Sequence, residues 1–348
     1  MGSGNGGSQN TGVCTMTRHP FFEDPPGVNR PLAAGERSRQ IFKEDESPIP
    51  ALHQLCLIKM NSTYLECVDV NFKERGFSTL IAGIGTIILI FITIFPPIIA
   101  IIKWPEMTTA DRKIALIGTG AIWIFAILLL LFYRYAILKD ECFTYTHLPI
   151  RFNRKTRRVH VFRKNGSVMT AHWDRLFFFL GHGIYYWDRS VRCHHLAMNE
   201  ETVLESFMLP HTTTKDDPFL LSFWEFVRLY MEGDEKDLKE LALRVSAVVD
   251  IADRRESFRE GVHHKSVHYR GTNPTPLWYL LVTPFVYIDA CFRWLANRTN
   301  KIPVWPAKIE AQCKIAPNDP YLRDRDHLAP KGAWKPPREM LEIMRRIL

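Results

Sequence analysis

The sequence predicts an α+β membrane protein with a transmembrane α-hairpin, a cytoplasmic antiparallel β-sheet and C-terminal helices. Three observations point to this class. Two closely spaced runs, Phe77–Ile102 and Ile114–Tyr133, hold 26 and 20 residues without a charge. Beyond residue 148, short β-rich segments alternate with turn residues, among them Asn165-Gly166. From Phe219 onward, apolar residues recur at helical spacing beneath a charged surface.

Residues 1–50 are rich in Gly, Asn, Pro and charge with little apolar periodicity, and read as a disordered tail. Met1 to Met16 lacks the basic start and apolar stretch of a cleavable signal, and no Ser or Thr stands at position six for myristoylation, so neither is expected. Residues 51–76 form a juxtamembrane segment in which Leu52 to Met60 and Tyr64 to Val70 suit either a strand or a helix.

The hairpin occupies residues 77–137. A helix rises about 1.5 Å per residue, so roughly 20 residues cross a hydrocarbon core of about 30 Å, and both runs are long enough. Pro96-Pro97 sits toward the end of the first, where a membrane helix absorbs it more readily than a soluble one. The connector Lys103–Lys113 offers Thr108 or Thr109 as a cap and Asp111 in the first turn of the second helix. Two spans joined this tightly are antiparallel. The outer flanks (Lys59, Lys73, Arg75, Arg134, Lys139, Arg151, Arg154, Lys155) outnumber Lys103, Arg112 and Lys113 of the connector, which places both termini in the cytoplasm. Small residues Ser78, Ala82 and Gly85, with Ala115, Gly118 and Ala121, would let the helices approach closely. Neither run holds an ionisable residue, which disfavours a transporter or channel.

Residues 140–235 are expected to form an antiparallel sheet closed by a helix. Strands are predicted at Leu148–Phe152, Arg158–Arg163, Val168–Trp173, Leu176–Leu180, Val191–Ala197 and Val203–Leu209. Asn165-Gly166 marks a hairpin whose turn positions both call for positive φ. Asp217-Pro218 opens a helix with Phe219, Leu220, Phe223, Trp224, Val227 and Met231 on one face. Several antiparallel strands followed by one helix resemble a pleckstrin-homology-like arrangement in architecture alone. Residues 236–348 read as a helical region: one helix over about Glu235–His264, then an apolar helix at 277–296. Pro284, Asp289 and Arg293 argue against a third span there, at roughly 2.5–3.5 kcal/mol per charge at a helix centre. Trp278, Tyr279, Tyr287 and Trp294 instead suit an interfacial helix.

A net charge of +8 alone does not choose among nucleic acid, an acidic partner and a lipid surface; the uncharged runs favour lipid. Seven scattered cysteines without a Cys-x-x-Cys pair argue against a disulfide framework or zinc ribbon. His194-His195 beside Cys193, and His263, His264 and His268, are the only histidine clusters. His264 and His268 could share a metal on one helix turn, but no supporting ligand accompanies them, so no metal or cofactor is expected. No Gly-x-Ser-x-Gly elbow, Walker loop or dinucleotide fingerprint occurs, and no catalytic residue is assigned. Tyr185-Tyr186-Trp187 and Trp173 lack an accompanying RNA-binding pattern, so a nucleic-acid partner is not expected.

The candidate site is the basic stretch Arg151, Arg154, Lys155, Arg157, Arg158, Arg163 and Lys164, which begins shortly after the second run. It could bind anionic lipid headgroups or a partner; the plain alternative is a sheet edge kept from pairing by its charges.

Four phrases together resemble the DUF6708 family: Asn61-Ser62-Thr63-Tyr64-Leu65-Glu66, Pro149-Ile150-Arg151-Phe152-Asn153-Arg154-Lys155-Thr156-Arg157-Arg158, Phe223-Trp224-Glu225-Phe226-Val227-Arg228 and Lys301-Ile302-Pro303-Val304-Trp305-Pro306. The resemblance covers roughly residues 50–325. It implies a multi-pass, two-span protein of the bacterial inner membrane, found near type VI secretion genes, and supplies no catalytic residues. The expected function is thus a non-enzymatic, membrane-anchored interaction protein acting as accessory, adaptor or immunity protein, with a secreted toxin or secretion-system component as partner beside the lipid bilayer. The alternatives are a lipid-headgroup-binding regulatory module and a membrane-associated hydrolase or metal enzyme.

Overall fold

A computed structural model describes residues 27–45, 49–182, 188–214, 218–272, 275–330 and 333. Tyr185-Tyr186-Trp187, Asp217 and the ends of the chain, including Cys14, lie outside the described residues. The fold is α+β, with two five-stranded antiparallel sheets, helices packed against them and, among the described residues, three helices long and apolar enough to cross a membrane: within Val70–Glu106, within Thr109–Asp140 and, less apolar and more buried than these, Pro276–Thr299.

In chain order the elements begin with β1 (Arg30–Pro31), the single turn α1 (Ala34–Arg37), β2 (Gln40–Ile41), β3 (Leu57–Met60) and β4 (Tyr64–Cys67). The long helices α2 (Phe77–Lys103) and α3 (Thr109–Phe132) follow. Then come β5 (Ile150–Asn153), β6 (Arg158–Phe162), β7 (Val168–His172), β8 (Leu176–His182), β9 (Asp188–Leu196) and β10 (Thr202–Thr214). The chain ends on α4 (Ser222–Glu232), α5 (Glu235–Arg244), α6 (Phe258–Thr272), α7 (Pro276–Thr299) and α8 (Ala307–Gln312).

The six strands expected after residue 148 are all present, but they do not form one sheet. Strands β5 to β7 join β3 and β4 in the order β3-β4-β5-β6-β7, while β8 to β10 join the two short early strands as β1-β10-β9-β8-β2. Residues 30–41, read as part of a disordered tail, therefore supply both outer strands of the second sheet. Strands of two residues leave almost no hydrophobic periodicity to detect. The undecided segment 51–76 resolves into β3, β4 and a single 3-10 turn at Val70–Phe72.

Between β4 and β5, which pair directly (Leu65 with Phe152, Glu66 with Arg151), the chain inserts α2 and α3. Both ends of the helical hairpin are consequently rooted in neighbouring strands of one sheet. One core serves both sheets: Leu65, Phe152 and Val159 from the first meet Phe178, Cys193 and Phe207 from the second, and α4 lays Phe223, Trp224, Phe226 and Val227 against them. Trp224 stacks on Trp173 with 6.0 Å between centroids and lies 4.5 Å from Phe178. Each such buried aromatic contributes about 1.5–3 kcal/mol.

In the β6–β7 turn only Gly166 adopts a left-handed φ (+83°). Asn165 does not; its side chain accepts from Ser167 N at 3.0 Å, so this loop is longer than a two-residue hairpin turn. The helix expected over Glu235–His264 is broken into α5 and α6. Val245, Val249 and Ile251 are buried in the main core, and Val249 N donates to Leu57 O at 2.7 Å. The chain thus runs beside the free edge of β3, where β-branched residues fit better than in a helix.

Helix α2 runs unbroken through Pro96 and Pro97. Pro97 has no N–H for the carbonyl four residues back, Thr93 O, and Trp123 Nε1 of α3 donates to that oxygen instead at 3.3 Å. Thr108 caps α3 in a capping box with Asp111. The small-residue expectation holds only in part. Ala82 is buried and Gly85 faces the Tyr133 hydroxyl, but Gly118 borders open space. The close approach on α2 is instead made to α7: a Cβ on Gly83 would stand 2.1 Å from the Phe292 ring, and one on Gly76 (φ +101°) 2.7 Å from Arg293 Cα.

Two leucine substitutions separate these roles. Gly83→Leu overpacks the α2–α7 contact and is expected to lower stability by about 1–3 kcal/mol. Gly118→Leu should leave it unchanged, as read by thermal unfolding of the detergent-solubilised protein.

Candidate functional site

Three of the four phrases that carry the family resemblance meet in space. Glu66 on β4 and Arg151 on β5 are cross-strand partners, with Arg151 Nη2 donating to Glu66 Oε2 at 2.9 Å. Tyr64 lies two residues from Glu66 on the same face of the strand. Trp305, from the segment between α7 and α8, donates its Nε1–H to Glu66 Oε1 at 2.7 Å. The Arg151 guanidinium is held between the Tyr64 and Trp305 rings, 4.4 and 4.6 Å from their centroids, and a second carboxylate, Glu310 of α8, accepts from Nη1 at 3.1 Å. Burial would favour loss of the Arg151 proton, but Glu66 and Tyr64 beside it raise its affinity further, and the group stays cationic.

This cluster floors an open groove of about 640 Å³. Around it stand six carboxylates (Glu66, Asp250, Asp253, Glu310, Asp324, Asp326) against three cations (Lys59, Arg151, Arg325), so the groove is acidic on a chain whose net charge is +8. Asp250 pairs with Arg254 and Arg325, and Asp324 with His327. Asp253 and Asp326 are exposed and have no ion-pair partner among the described residues, and Val304 on the rim is 79% exposed. The groove thus combines an aromatic floor with exposed carboxylates, and its local field favours cationic groups.

The predicted basic stretch is not gathered into one cationic face. Arg151 is internal to the groove floor. Arg154 donates to the carbonyls of Tyr230 (2.7 Å) and Gly233, and Arg157 binds Glu232 and Asp174, so both hold the C-terminal end of α4 against the first sheet. Arg163 binds Glu205 and Ser206 O on β10, tying the two sheets together. Lys164 pairs with Asp140 at 2.8 Å, while Lys155 and Arg158 are exposed and have no ion-pair partner among the described residues.

One histidine of each cluster is likewise bound to a carboxylate, His194 to Glu36 and His264 to Glu256. His264 Nδ1 bonds Glu256, and the side chain of His268 lies outside the described residues. His194 Nε2 meets Glu36 at 3.1 Å and its Nδ1 meets Ser206 Oγ at 3.1 Å, with Arg30 bidentate on Glu36; this network pins the N-terminal segment to the second sheet. Among the described residues, no group of three or more His, Cys, Asp and Glu side chains is arranged to hold a metal ion.

Residue-type reasoning missed the base of the hairpin. Glu141, just after α3, accepts from Gly76 N, from Thr79 N at 2.6 Å and from Thr79 Oγ1, so one carboxylate caps the N-terminus of α2. Arg293 of α7 donates to Glu256 at 2.7 Å and to Phe72 O at 2.7 Å, its guanidinium lying over the Phe72 ring. Lys265 of α6 and Asp289 of α7 form a second buried pair at 3.0 Å. Burial alone would raise the Glu256 carboxyl, but Arg293 and His264 hold it down to about 2.

The chain matches the family described as DUF6708, a family of unknown function, over residues 126–317, more than half of its length. No curated protein and no solved structure matches it.

Two outcomes follow from this geometry. Arg151→Ala leaves Glu66 buried and unpaired and should cost about 3–5 kcal/mol in chemical denaturation. Desolvation holds His147 and His211 at about 3 and His53 and His160 at about 4 when folded, against about 6.5 unfolded. Their contribution is complete above pH 6.5 and is lost as pH falls toward 3, so the unfolding midpoint should begin to drop below pH 6.5. Glu36, Glu256 and Glu260, held at about 2, add a second loss between about pH 4.5 and 2.

Proposed function

This chain belongs to the DUF6708 family, and we propose that it is a non-enzymatic, membrane-anchored interaction protein. The observation that carries this reading is the insertion of α2 and α3 between two paired strands of one sheet. Two antiparallel spans rooted in this way hold the two-sheet body at one membrane face. The excess of Lys and Arg on that side of the hairpin makes it the cytoplasmic face. Uncharged spans supply no path for ions or protons, so the work falls to the body. Its shape, two antiparallel sheets closed by a helix, is taken as a variation on the pleckstrin-homology-like arrangement.

The acidic groove over Arg151 and Trp305 is the proposed partner site, and a cationic extended segment is the proposed ligand. The resemblance on which the family reading began suggests the context: a bacterial inner membrane, and a secreted toxin or type VI secretion component that this protein loads, regulates or neutralises as accessory, adaptor or immunity protein. The headgroup-binding alternative draws less support, since Arg151, Arg154, Arg157 and Arg163 are committed to internal partners.

Purification in mild detergent with the products of neighbouring genes tests the reading. A basic partner should co-purify with the parent protein and be lost with Asp253→Lys/Asp326→Lys, two exposed positions whose substitution should shift stability by no more than about 0.5 kcal/mol. Recovery of the protein alone under all conditions, or equal recovery of partner with the double variant, would sink the groove as the site.

A further inference from the structure

Helix α7 presents two unlike sides. Val282, Val286, Asp289, Ala290 and Arg293 are buried, facing α6 and α2. The other side carries Leu277, Leu281, Phe285, Ile288, Cys291 and Leu295, all exposed, with Leu280 at 70% exposure between them. At about 100° per residue these positions sweep an arc of roughly 140°, which holds no charge from Leu277 to Leu295 and meets its first, Arg298, only in the last turn. A contiguous apolar surface of this kind, on a helix of 24 residues, marks an interaction face rather than scattered surface leucines.

What covers the face follows from its neighbours. α7 packs directly on α2, Phe292 seated against Gly83 and Arg293 against Gly76. The arc therefore continues the exposed apolar surface of α2, where Phe91 and Phe95 are also bare. On its other flank α7 is lined by α6, whose Arg259 and His263 are exposed, so one side needs water while the opposite side needs oil. A helix crossing the bilayer would carry α6 and the Lys265–Asp289 pair into hydrocarbon with it. An in-plane helix satisfies both sides at once. Tyr287, half exposed, and Trp294, stacked under Arg298 at 5.0 Å, are placed as headgroup-level residues are.

We infer that α7 is a third membrane-contacting element that lies along the cytoplasmic surface beside the hairpin, its uncharged arc sunk about 5–10 Å into the headgroup and acyl boundary. This rests on the reading that α2 and α3 span the bilayer. It makes α7 the element that fixes the tilt of the body relative to the membrane.

Single spin labels on the full chain in lipid nanodiscs test it. Cys291 serves as a native site after Cys14→Ser; Leu281→Cys, Leu295→Cys, Ile124→Cys in α3 and Lys308→Cys in α8 are placed in a background with Cys14→Ser and Cys291→Ser. Each labelled residue is exposed and the remaining cysteines are buried. Accessibility to oxygen against a water-soluble nickel chelate should put 281, 291 and 295 at one shallow depth, 124 deep, and 308 in water. Water-like values at 281, 291 and 295 with 124 deep would overturn the placement of α7 alone. A steady gradient from 281 to 295 approaching about 21 Å, the rise of 14 helical residues, would mean α7 spans instead. Water-like values at 124 would remove the membrane reading itself.

Discussion

The rest of the fold depends on how the helical hairpin is closed at its base. An insertion of this length between β4 and β5 would ordinarily leave two loose strand ends, yet these strands pair residue for residue from Tyr64–Asn153 to Cys67–Ile150. Glu141 makes this possible. Arriving from α3, it occupies the N-terminal amides of α2, and Asn300 Nδ2 then binds its backbone carbonyl at 2.7 Å. A carboxylate on a helix N-terminus gains from both hydrogen bonding and the helix dipole. Arg293 fixes the same junction from the opposite side through the carbonyls of Phe72 and Arg75. Entry strand, exit strand and α7 are therefore registered on one another by two side chains.

The same economy governs the cations. A chain of net charge +8 could be expected to display them, but much of the arginine in this body is turned inward onto carboxylates and helix-end carbonyls. Buried pairs contribute little net stability once desolvation is counted, while the loss of one partner is costly. Their effect here is geometric: Arg151 aligns two strands and Trp305, Arg154 and Arg157 fix the end of α4, and Arg163 joins the sheets. The surplus carboxylates around Arg151 leave a local negative site on a positive protein.

Much of the local structure was legible in the sequence. The uncharged runs gave both long helices to within a few residues because length and absence of charge are strong, local signals. Alternation gave β5 to β10, and the apolar face of α4 was visible in Phe223, Trp224, Val227 and Met231. The partition into two sheets was not legible, since nothing local in Arg30–Pro31 or Gln40–Ile41 marks a strand, and the pairing of β4 with β5 spans the whole hairpin. The candidate site was half legible. Arg151 stood out as basic, but its role is set by Glu66, 85 residues earlier in the chain, and by Trp305 from beyond α7. Counting charges along a segment cannot distinguish a guanidinium aimed at solvent from one aimed across a strand. The split of α5 from α6 failed for a related reason: Val245 and Val249 keep helical spacing but are buried by the edge of β3.

The site and α7 are also joined covalently over a short distance. Thr299 ends α7, and Trp305 follows within six residues. Between them Lys301 is clamped, its N–H to Thr144 O and its carbonyl to Thr146 N, both at 2.8 Å, while Arg255 donates to Asn300 O at 2.9 Å. A segment so short and so held has no slack with which to absorb a displacement of α7. The ring of Trp305 over Arg151 is thus positioned with reference to α7, and through Arg293 and Gly76 to the start of α2. A groove built onto the end of that helix keeps a fixed height and angle relative to the hairpin, which a site on a flexible tether would not.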